Sequence, residues 1–196
     1  LLPLTGAGLL ARREALRREW KQLLVLGTLG MWICGAWMYH GGQRTSAINM
    51  TLIYAVTPIA IAIAGARLLH EPMRARQWLG AVLALVGLLV VIAQGDLQRL
   101  LAVRFGTGDL WIVVASASWV AYSVLLKHWR SELGPGERLV ATCVGGLLVM
   151  LPFTIAEAWL LPMPPLGWTA AGLVLAAAVL PGVLSYGAYS FLQREL

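Results

Sequence analysis

Six long apolar runs separated by short polar gaps make up most of the chain. They cover residues 22–41, 47–69, 77–94, 108–127, 139–161 and 166–192, and each is near the roughly 20 residues that a helix needs to cross about 30 Å of hydrocarbon. Their apolar residues are continuous rather than alternating, which is typical of membrane helices and not of barrel strands. The pattern therefore predicts an all-α, polytopic transmembrane helix bundle.

The basic residues are sorted between alternate gaps of this pattern. Only three of the 15 lie in one set of gaps, namely Arg44, Arg99 and Arg104. The other twelve lie in the remaining gaps and at the end of the chain: Arg12, Arg13, Arg17, Arg18, Lys21, Arg67, Arg74, Arg76, Lys127, Arg130, Arg138 and Arg194. The positive-inside rule makes the twelve-charge side cytoplasmic and predicts a multi-pass protein of the inner (cytoplasmic) membrane.

Two segments depart from the six complete runs. Leu1–Leu10 is apolar but only half as long as a crossing, so we interpret it as the end of a preceding helix. The longest gap is Gln94–Asp109, where apolar residues recur at helical spacing beside arginines, which predicts a short interfacial helix. Those apolar residues are Leu97, Leu100, Leu101 and Phe105.

Composition excludes several classes of protein. The chain is 59% hydrophobic and only 12% charged, unlike a soluble domain. The net charge of +6 lies in gaps between apolar runs, so topology and anionic lipid explain it better than nucleic acid does. Cys34 and Cys143 fall inside runs and are expected to be small buried hydrophobes. We expect that the protein binds no metal or cofactor and is not an enzyme, since such a site needs clustered side chains and the histidines His40, His70 and His128 are scattered along the chain.

A weak internal repeat joins the first run to the last. Leu24–Leu26 recurs as Leu173–Leu175, and Tyr39 then falls on Tyr189, an offset of about 150 residues. The two runs cross in opposite directions under the predicted topology. A true repeat would therefore be inverted, as in many secondary transporters.

Two stretches carry a resemblance to a known family. The first runs from Thr57-Pro58-Ile59 through His70-Glu71-Pro72 to the glycine-rich run that follows Gln77. The second is Gly108-Asp109-Leu110 leading into Ser116–Ser123. Together the chain resembles the EamA domain of the drug/metabolite transporter superfamily, and is most like amino acid and metabolite exporters.

The resemblance implies ten helices in two inverted five-helix repeats, with helices three to eight complete in this chain. Residues 1–95 would be the end of the first repeat, 96–107 a periplasmic interfacial linker and 108–196 the start of the second repeat. A central substrate path would lie between the repeats.

Polar and aromatic residues at membrane depth are the candidates for that path. An indole or a hydroxyl in hydrocarbon needs a hydrogen-bond partner, which a polar lumen supplies, although core packing explains the same residues. The candidates are Trp37, Tyr39, His40, Gln43, Asn49, Tyr54, Thr57, Ser116, Trp119, Tyr122, Ser185, Tyr186 and Tyr189. Pro58 and Pro181 lie well inside runs, where each removes a helix hydrogen bond and permits a kink. Such a kink could serve a gate; alternatively, neighbouring groups satisfy the freed carbonyl and nothing moves.

Acidic residues are scarce inside the runs. We identify Glu157 as the only acid within a run, about one turn from a boundary. Since a central carboxylate is the usual ion handle of a coupled carrier, we predict a uniporter or a weakly coupled exporter.

The favoured function is a secondary transporter that exports small neutral or zwitterionic metabolites, amino acids above all, by alternating access. Its predicted partners are that substrate and the lipid bilayer, with a monomer slightly favoured. A sugar, nucleoside or drug exporter of the same superfamily, or a membrane assembly subunit that transports nothing, stay open as alternatives.

Overall fold

The computed structural model describes residues 12–70, 73–93, 104–160, 167–185, 188, 189 and 192. Within these ranges every regular element is a helix, and five helices are long and apolar enough to cross a membrane. The prediction of an all-α, polytopic helical protein is confirmed. An interfacial helix is predicted in the gap Gln94–Asp109, of which residues 94–103 lie outside the described residues, as do Leu1–Leu10, Tyr186 and Arg194.

Seven α-helices and two π-helical segments follow one another in the described residues. The first part comprises α1 (Arg13–Gly27), the first π segment (Thr28–Trp37), α2 (Met38–Gly42), α3 (Ala47–Leu68) and α4 (Ala75–Ala93). The second part comprises α5 (Thr107–His128), α6 (Pro135–Leu160), α7 (Trp168–Ala177) and the second π segment (Ala178–Ser185).

The first helix is longer than the apolar pattern predicts. It is continuous from Arg13 to Gly42, so the basic gap before residue 22 is helical rather than a loop. Arg, Glu and Leu are good helix formers, and hydropathy registers only the part of a helix that is apolar. Likewise α6 begins at Pro135 rather than near 139, and proline suits a first helical position because its missing N–H has no partner there anyway.

The two prolines within apolar runs lie in different kinds of helix, and their role in a gate stays a prediction. Pro58 lies inside α3, which is α-helical along its whole length, whereas Pro181 lies in the second π segment. The first π segment contains no proline. At its start Thr28 donates its hydroxyl to the Leu24 carbonyl at 2.8 Å, a local bond that competes with the regular helical ladder.

Contacts divide the chain into two compact units. The first unit comprises Leu1–Thr28 and Trp129–Leu196, and the second comprises Leu29–His128. The predicted division into two sequence repeats is a separate matter and stays a prediction.

In the first unit α1 packs along α6. The contact is a close approach of backbones, because a β-carbon at Gly27 would overlap the backbone of Gly146 and Thr142, and one at Gly145 would lie 2.8 Å from the Leu23 carbonyl oxygen. Small side chains allow such an approach. Near the start of α1, Ala15, Leu23, Leu133 and Ala141 form a small buried cluster.

In the second unit α5 is the most buried helix and packs against α3 and α2. Half of its most apolar window is buried, whereas none of the corresponding window of α4 is. The buried residues of α5 include several polar ones: Asp109, Ser116, Ser118 and Ser123. Of these four, Ser116 is a candidate selected from the sequence.

Candidate functional site

A buried carboxylate joins the beginning of α5 to the turn between α2 and α3. Asp109 is 4% exposed and lies in the first turn of α5. One of its oxygens accepts from the Thr45 hydroxyl. The other accepts from the Gly106 N–H at 2.5 Å and from the Asn49 side-chain amide at 3.0 Å. The Gly106 bond satisfies a free helix N–H group in the manner of a capping box.

Asn49 holds the other side of this joint. Its side-chain nitrogen also donates to the Arg104 carbonyl at 2.8 Å, and its oxygen accepts from the Ser46 hydroxyl at 3.0 Å. Ser46 caps α3 by accepting the Asn49 N–H. We name Thr45, Ser46, Asn49, Gly106 and Asp109 the Asp109 cluster. Each side-chain oxygen and nitrogen of Asn49 and Asp109 thus has a partner, as burial requires.

Two glycines bring the elements of this cluster together. A β-carbon at Gly108 would overlap the Arg44 backbone, and one at Gly41 would lie 2.9 Å from the Trp111 β-carbon. The turn after α2 therefore contacts the first turn of α5 directly. This approach places Thr45 within reach of Asp109.

The cluster corrects our account of the acidic residues. The prediction that Glu157 is the only acid within a membrane run is wrong, because Asp109 lies in a helix that is long and apolar enough to span. Glu157 itself is exposed on α6. The sequence signal that we missed was a carboxylate one residue inside an apolar run. In the structure this carboxylate contacts Thr45 and Asn49.

Farther along the same two helices, a pair of hydroxyls is buried between α3 and α5. The Thr57 and Ser116 hydroxyls lie 2.7 Å apart, and the two residues are 4% and 8% exposed. Two residues after Ser116, Ser118 donates to the Leu29 carbonyl of the first π segment at 2.7 Å. Sequence reasoning selected Thr57 and Ser116 and missed Ser118.

Trp119 and Tyr122 stack on each other, with ring centroids 5.1 Å apart. Tyr122 is 1% exposed, and its ring fills the space that a side chain on Gly30 would need. Tyr122 is therefore packed against the first π segment, and Trp119 stacks on Tyr122.

A second aromatic group links the π segment to the beginning of α5. The centroid of the Trp37 ring lies 6.0 Å from that of Trp32 and 5.1 Å from that of Trp111. The His40 ring centroid lies 5.0 Å from that of Trp111, and all three contacts are edge to face. The Arg44 guanidinium contacts the His40 Nε2 at 3.0 Å. We name Trp32, Trp37, His40 and Trp111 the indole group. Sequence reasoning selected Trp37 and His40 and did not select Trp111.

Tyr54 has a sulfur partner and borders a groove. Its hydroxyl lies 3.9 Å from the Cys34 thiol, so Cys34 is a buried residue with a polar contact rather than a mere apolar filler. The groove has a volume of about 420 Å³ and is lined by Met50, Thr51, Tyr54, Ala55 and Leu88. Pro58 borders a second groove of about 270 Å³ between α3 and α4.

The other candidates are placed elsewhere. Tyr39 is 67% exposed and Gln43 is exposed as well. Ser185 and Tyr189 belong to the first unit, where the exposed Ser185 donates to the Leu180 carbonyl at 3.4 Å. The structure therefore brings together Trp37 with His40, Thr57 with Ser116 and Trp119 with Tyr122, and adds Asp109 beside Asn49.

Comparison with known proteins agrees with the resemblance described in the sequence. The EamA-like transporter family matches residues 1–93 and 106–196. A protein of Bacillus subtilis (strain 168) described as the uncharacterized transporter YyaM is 29% identical over 178 residues, which cover 89% of this chain and 57% of that protein. An uncharacterized transporter of Methanothermobacter thermautotrophicus is 27% identical over 111 residues, which cover 57% of this chain and 32% of that protein.

The chain thus spans little more than half the length of its Bacillus relative. No solved structure matches it at a significant level. The family match extends over nearly the whole chain, and the apolar helices are those of a multi-pass membrane protein. The chain belongs to the EamA-like transporter family of the drug/metabolite transporter superfamily.

Proposed function

We propose that the full-length protein is a secondary transporter that exports small neutral or zwitterionic metabolites, amino acids above all, across the inner membrane by alternating access. Family membership supports transport, as do the descriptions of both relatives as transporters. The substrate class, the mechanism and the direction are our inference from the polar and aromatic residues of the second unit.

The observation that carries the proposal is the buried hydroxyl pair Thr57 and Ser116. A hydroxyl at membrane depth must find its hydrogen-bond partner within the protein or in a bound solute, because hydrocarbon offers none. Two hydroxyls that bond to each other satisfy themselves, yet each can also bond to an amino or carboxylate group. With Trp119 and Tyr122 on the same helix, α5 offers hydrogen bonds and apolar contact to an amphiphilic solute.

The absence of a positive charge among the site side chains supports a neutral or zwitterionic substrate. Thr57, Ser116, Trp119 and Tyr122 are uncharged, and a phosphorylated substrate would need Arg or Lys partners at this depth. Asp109 is the acid nearest to them along α5, but three neutral donors already occupy its oxygens. This arrangement supports weak coupling or uniport rather than an exchange of protons at Asp109.

The basic gaps support a cytoplasmic location for the beginning of α1 and for the turns after α3 and α5. The turn between α2 and α3 and the beginning of α5 would then face the opposite side. In that orientation the indole group and Arg44 would lie near the outer mouth of the path, and Thr57 with Ser116 would lie deeper.

Flux measurement on reconstituted full-length protein tests the proposal. Proteoliposomes are loaded with unlabelled neutral amino acid, and uptake of the labelled amino acid by counterflow is followed. We expect saturable counterflow that Thr57→Val or Trp119→Ala lowers at least tenfold, because each removes a group from the path. Thr154→Val is the matched control, since Thr154 is exposed and bonds only to the Met150 carbonyl of its own helix.

Each result has a meaning. Counterflow of sugars, nucleosides or drugs, but not of amino acids, would replace the substrate and keep the transporter. No flux of any of these solutes would favour the assembly subunit. Equal flux in Thr57→Val, Trp119→Ala and Thr154→Val would reject α5 and α3 as the path.

A further inference from the structure

Five basic residues lie at the beginning of α1, four of them in its first nine residues and Arg12 just before the helix. The structure divides them between two faces. Arg12, just before the helix, donates to the Glu132 carbonyl at 2.5 Å and lies 3.5 Å from a Glu137 carboxylate oxygen. Arg18 lies 3.3 Å from a Glu132 carboxylate oxygen. Glu19 accepts from the Ser131 hydroxyl and the Glu132 N–H. Three of the four carboxylates near this end are therefore engaged.

The remaining bases lie on the face of α1 that points away from α6. Arg13, Arg17 and Lys21 are spaced four residues apart and are all exposed, while the buried residues Ala15, Leu23 and Leu26 lie on the other side of the helix. Residues four apart are neighbours on a helix surface, with β-carbons about 5–6 Å apart. We name these three residues the α1 stripe. The exposed acid beside it is Glu14, so the face carries three positive charges against one negative charge.

The surroundings of the α1 stripe indicate its depth. The Lys21 ammonium lies 5.7 Å from the Trp20 ring centroid, and Trp20 is 51% exposed. Exposed tryptophans of membrane helices lie at the level of the lipid headgroups. One turn beyond Lys21 the same helix is apolar, with Leu24 and the 41%-exposed Val25. The stripe therefore begins where hydrocarbon ends.

We propose that the α1 stripe is a binding site for the phosphate headgroup of an anionic phospholipid. A phosphate between neighbouring side chains contacts two of them at once, and the arginines can bind its oxygens in a bidentate manner. The acyl chains of the same lipid lie along Leu24 and Val25. A soluble phosphate compound would gain nothing from that apolar continuation, so the site selects a lipid.

The proposal predicts the size of the effect. A basic residue near an anionic surface contributes a factor of about five to association. A headgroup that contacts two of the three side chains gains about 25-fold over a zwitterionic lipid by the same estimate. The α1 stripe acts on lipid only, so this prediction is independent of the proposed transport activity.

The test compares two triple variants of the full-length protein that lose the same charge. Arg13→Gln/Arg17→Gln/Lys21→Gln removes the α1 stripe, and Arg67→Gln/Arg74→Gln/Arg76→Gln removes three other exposed bases. Native mass spectrometry after equilibration with mixed phosphatidylglycerol and phosphatidylcholine measures the ratio of the two lipids bound. We expect the stripe variant to lose about 25-fold of the preference for phosphatidylglycerol, and the control variant to keep the wild-type preference.

Three results would overturn the site. Equal loss in the two variants would mean that total charge, not the α1 stripe, selects the lipid. Displacement of phosphatidylglycerol by soluble glycerol phosphate would mean a free-phosphate site. The single substitution Arg17→Gln guards against misfolding of the triple variant, and we expect it to lower the preference about fivefold. An unchanged ratio in Arg17→Gln would also reject the proposal.

Discussion

The helix pair α1–α6 and the helix pair α3–α5 are held together in different ways. In the first pair Gly27, Gly145 and Gly146 bring two backbones into contact. In the second pair polar side chains bond across the contact, with Asn49 on Asp109 at one end and Thr57 on Ser116 farther along. Because apolar side chains gain little by leaving lipid for protein, helices in membranes associate through close packing or interhelical hydrogen bonds.

This difference indicates which helix pair can exchange hydrogen-bond partners without moving its backbones. A glycine contact has one geometry, and any side chain added there must push the backbones apart. Hydroxyls and amides can instead exchange one partner for another, including a solute. We therefore interpret α1–α6 as a rigid part of the first unit, and α3–α5 as the part of the second unit that fits the substrate path proposed above.

The largest expected effect falls on the glycine contact. Gly27→Ala places a methyl group against the Thr142 carbonyl oxygen and the Gly145 backbone, at 2.6 and 2.8 Å before any relaxation. We expect a loss of about 3 kcal/mol in the free energy of unfolding of the full-length protein in detergent. The control is Gly172→Ala, where no atom lies within 4 Å and the better helix propensity of alanine gives no loss. Equal losses would show that α1–α6 is not a close contact.

The next effect tests the polar joint. Asp109→Ala leaves the Thr45 hydroxyl, the Asn49 amide and the Gly106 N–H without their acceptor, and we expect a loss of about 2–3 kcal/mol. Equilibrium unfolding in detergent measures it, with the exposed Glu157→Ala as control. A loss no larger than that of Glu157→Ala would mean that the Asp109 cluster contributes nothing to the α3–α5 pair.

A smaller effect is expected at the hydroxyl pair. A double-mutant cycle with Thr57→Val and Ser116→Ala should give a coupling of about 0.6 kcal/mol, the usual value between membrane helices. Unfolding of wild type, both single variants and the double variant measures it. The same cycle with Thr154→Val in place of Thr57→Val should give no coupling. If the two cycles agree, the hydroxyls do not hold α3 against α5.

The smallest effect is expected at the surface of the first unit. The side chains of Arg18 and Glu132 are 65% and 62% exposed, so water screens their ion pair. We expect Arg18→Gln to cost less than about 0.5 kcal/mol, and added salt to remove that difference. Unfolding at low and high ionic strength measures it, with Arg76→Gln as control. A loss as large as that of Gly27→Ala would mean that charge, rather than backbone contact, holds α1 against α6.

Much of the fold could be predicted because hydrocarbon imposes strict rules on the chain. The five described spans follow the apolar runs that begin near residues 22, 47, 77, 108 and 139. Their ends differ by up to nine residues, as at Arg13, because a helix continues into water without an apolar signal. The π geometry of Thr28–Trp37 could not be predicted, since the segment contains no proline and its apolar pattern is that of any membrane helix.

For the candidate site, the sequence predicted several of the residues but not which of them contact each other. Thr57 and Ser116 were both selected as polar residues at depth, yet nothing in a sequence places residues 59 positions apart within 2.7 Å. Asp109 was not selected as a site residue because we looked for polar residues near the middle of each run, and Asp109 lies at the edge of its run. Trp111 was not selected from the sequence either, and its contact with Trp37 comes from the packing of α5.

The sequence by itself determined that this protein is helical and multi-pass and belongs to the EamA-like transporters, and its charges predict a direction for each span. These properties follow from each residue's own affinity for lipid or water, which is local and additive. Only the tertiary structure decided which polar groups meet, which glycines bring backbones together and which bases of α1 stay free of carboxylates. Those depend on distances between residues far apart in the chain, and such distances exist only once the helices have packed.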